Sequence, residues 1–339
     1  MKTLVINAKE DLAVLDRPMP EPGDGQVRLK VAYVGICGSD LHYYYNGANG
    51  TFVVREPLTP GHEVSATVDL DPSGKYAVGT PVTVHPATFG PDIAGLEGDE
   101  YRHLRPGGSY LGSASTWPHT QGAMARYLIV GAGMVRPLPA GLDLKAAALA
   151  EPLSVVWHGL RNTGISLKGL DVLVCGCGPI GLLGVFAART QGAACVTATD
   201  VLDGPLERAK ALGADATLKV GVDEIPANRF DLVMECVGLP VSVSAAVAAA
   251  KPRGHVAQIG MLSGGDLPIA LAGLVNKELT MTGAFRFNDE IDEAVKIIAA
   301  HPEVAQVVTH VVPYTDAVEA FAIAKDSQAS GKVLVSFTD

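Results

Sequence analysis

One short segment constrains the fold of this chain more than any other. Four apolar residues, Val172–Cys175, lead directly into the turn Gly176–Gly181, whose sequence is Gly-Cys-Gly-Pro-Ile-Gly, and a helical pattern follows. A second strand-like run ends in Asp200, nineteen residues after the last of these glycines. A strand, a glycine turn, a helix and a second strand in this order are typical of parallel β-structure. The segment therefore predicts an α/β region with a parallel sheet.

The glycines and the aspartate have separate roles in such a unit. Gly176 permits the tight turn, Gly178 lets a pyrophosphate group approach backbone N–H groups, and Gly181 lets the helix pack closely on the strand. The N-terminus of the helix offers its dipole to phosphates, and Asp200 would accept hydrogen bonds from ribose hydroxyl groups. An ordinary glycine-rich turn with a surface aspartate is the alternative, but the combined spacing favours a dinucleotide site.

The pattern of apolar residues changes along the chain. The first part has short alternating segments broken by glycine and proline, which predicts an irregular antiparallel β domain. The middle part alternates strand-like runs with alanine-rich helical stretches, which predicts a doubly wound parallel sheet. Two further helical stretches and a closing strand, Lys332–Phe337, follow. We expect this tail to return to the first domain, which gives a first domain of residues 1–145 and 286–339 and an inserted domain of residues 146–285.

Charge and composition exclude several classes of function. The chain has 26 basic and 36 acidic residues, a net charge of −10, so it has no evident footprint for nucleic acid or an anionic membrane. It has no uninterrupted apolar run long enough to span a membrane, and its N-terminus lacks the apolar core of a signal peptide. The five cysteines form no disulfide framework. We therefore expect a cytoplasmic protein that acts on small molecules.

Three separated segments carry the residues with the strongest chemistry. They are Gly35–His42, with the sequence Gly-Ile-Cys-Gly-Ser-Asp-Leu-His, then Pro60–Glu63, and finally Ala150–Ser154. Alone, each is ambiguous, because a buried cysteine, a histidine at the start of a strand and a glutamate opening a helix are common structural residues. Together they supply a thiolate, an imidazole and a carboxylate, which suit a zinc ion whose fourth position is open to substrate.

A zinc ion with an open position has a clear use beside a dinucleotide. It would bind a substrate hydroxyl group, lower its pKa and stabilise the alkoxide from which a hydride leaves for the nicotinamide. The proton must then reach solvent, and Ser39 and His42 lie close in sequence to Cys37. Asp40 is a candidate for orienting the ring of His62. The sequence therefore predicts a zinc-dependent dehydrogenase with Ser39 and His42 as a proton relay.

With these motifs, the chain resembles the medium-chain, zinc-dependent alcohol dehydrogenase family, and within it the branch that acts on polyols and sugar acids. The resemblance runs from Val34–Tyr44 through Glu151–His158 and Gly176–Gly181 to Gly283–Phe287. It implies an α/β architecture, with a catalytic domain of the GroES-like irregular β-barrel type and a doubly wound parallel-sheet domain of the Rossmann type that binds NAD. We expect a homodimer or homotetramer that acts on a polyol or an aldonate.

The resemblance also assigns roles to individual residues. The residues that match zinc ligands are Cys37, His62 and Glu151, and Glu63 matches a catalytic carboxylate that can approach or replace a ligand. The residues that match substrate contacts are Tyr43, Arg286 and Phe287. Beyond the glycine turn and Asp200, the residues that match cofactor contacts are Pro179, Ile180, Ile259, Gly260, Met261, Phe285 and Arg286.

The chain departs from its relatives in one lobe. Most relatives carry four closely spaced cysteines between the second and third metal motifs, and these hold a structural zinc. Residues 64–150 of this chain contain no cysteine. The histidines there, His85, His103 and His119, do not have the spacing of a zinc knuckle. We therefore expect one catalytic zinc per chain and no structural zinc.

The surroundings of Asp200 also bear on the choice of cofactor. No lysine or arginine lies between Asp200 and Glu207, and Asp203 adds a second negative charge. The 2′-phosphate of NADP would therefore meet like charges, which raises its free energy of binding. The sequence predicts a preference for NAD.

Several functions remain open at this point. A sorbitol or xylitol dehydrogenase would differ from a sugar-acid enzyme only in pocket detail. A catalytically inactive Rossmann binding protein has no physical need for the complete set of zinc ligands, and a zinc-independent quinone reductase needs neither Cys37 nor His62. We favour oxidation of a sugar acid, L-idonate at C5 to 5-keto-D-gluconate, because Arg286 could pair with a carboxylate. The same arginine could instead hold a hydroxyl group, a water network or the cofactor.

Overall fold

The structure is a computed structural model that describes residues 1–338. The strands, in chain order, are β1 (Lys2–Ala8), β2 (Asp11–Asp16), β3 (Gln26–Gly35), β4 (Ala48–Asn49), β5 (Phe52–Val53), β6 (Glu63–Leu70), β7 (Pro81–Val84), β8 (Ala87–Thr88), β9 (Ser109–Tyr110), β10 (Tyr127–Gly131), β11 (Val135–Pro137), β12 (Asp171–Cys175), β13 (Cys195–Asp200), β14 (Ala216–Lys219), β15 (Phe230–Glu235), β16 (Ala250–Gln258), β17 (Thr280–Gly283), β18 (Val308–Pro313) and β19 (Lys332–Ser336).

The α-helices are α1 (Gly38–Asn46), α2 (Leu144–Ala147), α3 (Ala150–Asn162), α4 (Pro179–Thr190), α5 (Asp203–Ala211), α6 (Pro240–Ala249), α7 (Ala272–Asn276), α8 (Ile291–Ala300) and α9 (Ala317–Lys325). Short 3₁₀ turns cover Arg102–Leu104, Ala132–Met134, Pro302–Val307 and Tyr314–Asp316. Within residues 1–338, no helix combines the length and the hydropathy that a membrane span requires.

The described chain divides into two compact units. The first contains residues 1–151, residues 291–326 and the closing strand, and the second contains residues 152–290 with residues 327–331. The junctions predicted from the sequence lie five or six residues before these transitions. The tail of the chain belongs mainly to the first unit, because β19 pairs with β3.

The first unit is built on an antiparallel sheet around β3. Its strand order is β11-β7-β6-β3-β19-β18, and β10 also pairs with β3. Along β3, Val27, Leu29 and Val31 face the core and Lys30 is exposed, as expected for a strand with one buried face. The end of β3, at Gly35, lies opposite Glu63 of β6 on one side and the closing strand on the other. This register brings distant parts of the chain together at the start of α1.

The second unit is a parallel sheet of six strands in the order β14-β13-β12-β15-β16-β17. Strand residues such as Leu173, Val174 and Val233 are fully buried, because helices cover both faces of a sheet of this kind. The strand order reverses direction between β12 and β15. In doubly wound sheets, ligands bind at the carboxyl ends of the strands beside such a switch point. The predicted doubly wound sheet is confirmed.

Candidate metal and dinucleotide sites

Asp40 joins the two segments that carry the first candidate metal ligands. Helix α1 begins after Cys37, and one oxygen of Asp40 accepts the Cys37 N–H at 2.9 Å. The other oxygen accepts the N–H of Gly61 at 3.0 Å. Because Asp40 is fully buried, these bonds fix the backbone beside both segments. Both oxygens of Asp40 thus bind backbone N–H groups, and the Nδ1 atom of the His62 ring has no hydrogen-bond partner among residues 1–338, so the orientation of that ring by Asp40 stays a prediction.

Cys37, His62 and Glu63 form a compact group of candidate ligands. The Sγ of Cys37, a ring nitrogen of His62 and a carboxylate oxygen of Glu63 all lie within 4.8 Å of one another. Within the described part of the chain, Nδ1 of His62 and Oε2 of Glu63 are buried and have no hydrogen-bond partner. Buried polar atoms normally have a partner. A sulfur, a nitrogen and an oxygen donor gathered in this way fit a zinc ion.

Glu151 lies beside this group, near the start of α3, and is 4% exposed. The hydroxyl group of Tyr110 donates a hydrogen bond to its Oε1. Burial raises the pKa of Glu151 to about 7, and the charges of Glu63 and Cys37 add to the rise while His62 opposes it. The structure thus places three of the four predicted ligands within one compact group and couples the fourth to it electrostatically.

Lys332 is a member of the site that the sequence analysis missed. It begins β19, and its Nζ donates to Oε1 of Glu63 at 2.6 Å and to the carbonyl oxygen of Ile36 at 3.1 Å. The side chains of Lys332 and Glu63 are only 3% and 1% exposed. Burial alone would lower the pKa of Lys332, but Glu63 and Cys37 together hold it above its usual value. The ammonium group therefore stays charged and holds one oxygen of Glu63, which leaves Oε2 for a metal ion.

Glycine is required where β3 meets Glu63. A Cβ atom on Gly35 would lie 2.0 Å from Oε2 of Glu63, which is less than any real contact distance. Any side chain at position 35 would thus displace the Glu63 carboxylate. The glycine that ends β3 therefore makes room for the Glu63 carboxylate of the neighbouring strand β6.

The predicted proton relay lies on α1, next to the metal candidates. Ser39 hydrogen-bonds the side chain of Cys37, and burial raises the pKa of that thiol to about 11. His42 is exposed, and its Nδ1 lies 3.2 Å from the side-chain nitrogen of Asn46. Residues three apart share one face of a helix. Ser39 and His42 therefore lie on one side of α1, with Ser39 next to Cys37 and His42 at the surface, and the relay stays a prediction.

The predicted substrate residues have different environments. Tyr43 is 2% exposed, and its hydroxyl oxygen accepts the N–H of Ala114 at 3.1 Å. In the second unit, the guanidinium carbon of Arg286 lies 4.9 Å from the centre of the Phe285 ring, and Arg286 has a positive φ of 54°. Phe287 is 1% exposed and packs in the core of its unit. Arg286 is thus the most accessible of the three predicted substrate residues.

The glycine turn of the second unit has the geometry that the sequence predicts. Gly176 has a φ of 86°, and its N–H donates to the carbonyl oxygen of Thr199 at 2.8 Å. Helix α4 begins at Pro179, where proline is favourable because the first N–H groups of a helix have no partner within it. A Cβ atom on Gly181 would lie 1.8 Å from the carbonyl oxygen of Gly176. Only glycine allows this approach of helix and turn.

Asp200 binds the glycine turn and can still accept hydrogen bonds from a ligand. One carboxylate oxygen accepts the N–H of Cys177 at 2.8 Å, and the other accepts the N–H of Leu202 at 3.0 Å. Each carboxylate oxygen can accept a second hydrogen bond. The remaining acceptor positions fit the paired hydroxyl groups of a ribose. Pro179 and Ile180, also predicted to contact the cofactor, lie in the first turn of α4.

Glu235 is a buried acid to which the sequence alone assigned no role. It ends β15 and is fully buried. Its carboxylate accepts the N–H of Val237 at 2.9 Å, the N–H of Gly238 at 3.0 Å and the hydroxyl group of Ser242 at 2.6 Å, and Gln258 donates a further bond. These bonds fix the loop after β15, at the switch point of the sheet.

Three further predicted cofactor residues, Ile259, Gly260 and Met261, follow β16 on the same edge of the sheet. The N–H groups of Ile259 and Gly260 donate to the carbonyl oxygen of Glu235 at 2.9 and 2.8 Å. Ile259 is 9% exposed, and Met261 is 70% exposed. The predicted cofactor residues therefore lie at the carboxyl ends of β12, β13 and β16, except Phe285 and Arg286, which follow β17.

Arg105 organises the lobe that has no cysteines. Its side chain is 9% exposed. The guanidinium group donates to the carbonyl oxygens of Leu96 at 2.9 Å, Gly90 at 3.5 Å and Gly98, and it forms an ion pair with Asp92 at 2.5 Å. The guanidinium group of Arg105 thus links four residues of a loop that has little regular structure. Arg105 therefore supplies cross-links in a lobe that contains no cysteine.

Replacing Arg105 with alanine should loosen this lobe locally. A hydrogen bond to a charged group contributes roughly 1.5–3 kcal/mol, so amides of residues 89–108 should exchange with solvent deuterium at least about tenfold faster. Arg102, whose guanidinium carbon lies 4.5 Å from the centre of the Phe89 ring, is the neighbouring arginine, and Arg102→Ala is the control for removing a guanidinium group from this lobe. Equal exchange rates in wild type and Arg105→Ala would contradict the assignment.

Comparison with known proteins identifies relatives along the whole chain. A family model described as Zinc-binding dehydrogenase matches residues 179–300, and one described as Alcohol dehydrogenase GroES-like domain matches residues 23–140. Sorbitol dehydrogenase from Bos taurus is 33% identical over 341 residues, which cover 95% of this chain and 92% of the relative. L-idonate 5-dehydrogenase (NAD(P)(+)) from Escherichia coli is 32% identical and covers 99% and 98%.

Solved structures agree with these matches. The crystal structure of L-idonate 5-dehydrogenase from Escherichia coli superimposes with a TM-score of 0.92 at 31% identity, over 99% of this chain and 98% of that one. The structure of 2R,3R-butanediol dehydrogenase from Bacillus subtilis has a TM-score of 0.87 at 25% identity, over 99% of each chain. The predicted combination of a GroES-like β domain with a Rossmann domain is confirmed.

Proposed function

The chain belongs to the zinc-dependent medium-chain alcohol dehydrogenase family, and on that premise we propose that it oxidises L-idonate at C5 to 5-keto-D-gluconate with NAD as hydride acceptor. Membership makes it an oxidoreductase of the polyol and sugar-acid class. The nearly complete structural match with an L-idonate 5-dehydrogenase supports the finer proposal. Arg286 adds to it, because a guanidinium group suits the carboxylate of a sugar acid.

Cys37, His62 and one of the two glutamates, Glu63 or Glu151, would hold a single catalytic zinc ion. A bound zinc ion with an open position supplies a Lewis acid that lowers the pKa of a hydroxyl group. Three groups of the site, the thiol and two carboxyl groups, become negative on deprotonation, and Lys332 offsets one of these charges. This balance limits the electrostatic cost of holding several anionic ligands in a buried place.

Ser39 and His42 would carry the proton that leaves the substrate. Ser39 contacts the thiol of Cys37, and His42 is exposed one helical turn later. A hydroxyl group can accept one proton while it donates its own, so Ser39 passes the proton along and His42 delivers it to water. The rigid cap that Asp40 provides at the start of α1 keeps this path aligned.

The second unit would bind and orient the dinucleotide. The glycine turn and the N-terminus of α4 accept the pyrophosphate, and Asp200 accepts the adenosine ribose. The loop that Glu235 fixes lies at the same edge of the sheet and restricts the nicotinamide end. We propose NAD rather than NADP, because the 2′-phosphate would lie beside the negative charge of Asp200. A homodimer or homotetramer in the cytoplasm is part of the same proposal.

Sorbitol or xylitol oxidation is the second candidate. Sorbitol dehydrogenases match this chain at essentially the same identity as the L-idonate enzyme. Both substrate types present a secondary hydroxyl group, so the zinc site does not separate them. A catalytically inactive binding protein is less well supported, because it has no use for a buried group of zinc donors with unpartnered atoms.

The Arg286→Ala variant tests the choice between these substrates. We expect wild type to oxidise L-idonate with a kcat/KM well above that for sorbitol or xylitol. Arg286→Ala should raise KM for L-idonate by at least about tenfold, the effect of one charge-assisted pair, and KM for sorbitol by much less. Arg253→Ala is the matched control, because Arg253 is an exposed arginine of the same unit that also has a positive φ.

Two results would move the protein to the polyol assignment. One is a wild-type preference for sorbitol or xylitol over L-idonate. The other is an equal loss on both substrate types in Arg286→Ala, since a residue that contacts only shared groups or the cofactor affects both alike.

A further inference from the structure

A lysine lies directly beside the ribose-binding aspartate. Lys219 ends β14, and its Cα pairs with that of Asp200 in the parallel ladder between β13 and β14. Side chains at paired positions of neighbouring strands point to the same face of a sheet. Lys219 is therefore a cation close to Asp200, the residue that would bind the adenosine ribose. Its separation of nineteen residues from Asp200 hides this proximity in the sequence.

The ammonium group of Lys219 is held by an acid of the preceding helix, α5. Its Nζ lies 2.6 Å from Oδ2 of Asp203, in the first turn of α5. Lys219 also donates its backbone N–H to Asp223 at 2.7 Å. Arg208 of α5 donates to the carbonyl oxygens of residues 327 and 328. The charges around Asp200 thus include one cation already paired with an acid.

We propose that Asp203 is a cofactor-specificity residue that acts by engaging Lys219. A 2′-phosphate carries additional negative charge, and lysine is a common phosphate partner. In the wild-type chain, Asp203 repels that phosphate and also holds the ammonium group that would attract it. The inference rests on the proposed dinucleotide function and deepens it, because it makes the NAD preference depend on Asp203 and Lys219 as well as on Asp200.

A purely structural role makes a different prediction. An acid in the first turn of a helix stabilises that helix through its dipole, and exposed ion pairs contribute little to stability. The Asp203 and Lys219 side chains are 63% and 35% exposed. If the pair only stabilises α5, replacing Asp203 changes stability slightly and affects NADH and NADPH binding equally.

Direct binding measurements with purified full-length protein separate these cases. The dissociation constants of NADH and NADPH are measured by calorimetry for wild type, Asp203→Asn and the double variant Asp203→Asn/Lys219→Ala. Glu278→Gln is the matched control, because Glu278 forms an exposed ion pair with Arg253 in the same unit. The control removes the same charge from a position just before β17, at the amino-terminal edge of the sheet.

Asp203→Asn should strengthen NADPH binding by at least about tenfold, while NADH binding changes by less than about threefold. The added Lys219→Ala substitution should remove this gain, and Glu278→Gln should leave both constants unchanged. A wild-type preference for NADH that persists unaltered in Asp203→Asn would overturn the inference alone. Wild-type protein that binds NADPH as tightly as NADH would overturn the proposed NAD preference itself.

Discussion

Replacing Cys37 with serine should abolish catalysis almost completely while the fold survives. The substitution removes the only thiolate of the compact donor group, and a serine hydroxyl group is a poor zinc ligand at neutral pH. Lewis-acid stabilisation contributes several kcal/mol to reactions of this kind. We therefore expect the zinc content to fall well below one per chain and kcat/KM to drop by at least about a thousandfold.

The fold should survive because the backbone of residue 37 does the structural work. Its N–H caps α1 through Asp40, and that bond does not involve the thiol. Cys195→Ser, which changes a free cysteine of the second unit, is the control and should retain full activity and metal content. The measurements are zinc content, kcat/KM and thermal unfolding. A Cys37→Ser protein with normal zinc content and activity would refute the assignment of this ligand.

The Lys332→Met substitution should have the largest effect on stability. It leaves the buried carboxylate of Glu63 without its cation, and breaking a buried ion pair on one side costs roughly 3–5 kcal/mol. We expect the free energy of unfolding of metal-free protein, measured by urea denaturation, to fall by about this amount. Zinc should reduce the loss, because a bound cation can replace the missing ammonium group.

Two variants distinguish loss of the ion pair from loss of a lysine as such. Lys30→Met changes an exposed lysine of β3 and should alter stability by less than about 0.5 kcal/mol. Glu63→Gln/Lys332→Met removes both charges and should recover more than half of the loss, because no buried charge is left unpaired. If the free energy of unfolding of Lys332→Met lies within about 1 kcal/mol of the wild-type value, the buried ion pair does not stabilise the fold as its geometry indicates.

The parts of the molecule that could be predicted from the sequence are those that depend on neighbouring residues. The glycine turn is one case, because the positive φ of Gly176 and the lack of room for a Cβ atom on Gly181 both arise within a single strand–turn–helix segment. The strand and helix pattern of the second unit is another, since apolar periodicity is a local signal. The candidate zinc donors were found because each lies within a short motif whose residue types bind metal ions.

The residues that were missed depend on strand register. Lys332 reaches Glu63 across 269 positions, because β19 and β6 both pair with β3. Lys219 lies beside Asp200 only because β14 pairs with β13 in one particular register. No local pattern marks either lysine, since a lysine at the end of a strand is ordinarily a solvated residue. The strand register that creates these contacts depends on the whole sheet, so a short segment of sequence does not reveal it.

The role of Asp40 shows a second limit of sequence reasoning. Its position next to Cys37 indicated that it belongs to the site, but not which atoms it binds. As the acid of a capping arrangement at the start of α1, it satisfies a helix N–H group that lacks a partner within the helix. Its other oxygen accepts the N–H of Gly61, a residue 21 positions away, and no local pattern in the sequence indicates that contact.

Zinc titration tests the central claim most directly. Metal-free protein is titrated with zinc in the presence of NAD and a mixture of L-idonate, sorbitol and xylitol, and NADH formation is followed by absorbance. A single site with three protein ligands predicts that activity rises linearly from zero and reaches its plateau at about one zinc per chain. Full activity in the metal-free protein, or a plateau that requires two zinc ions per chain, would contradict the account.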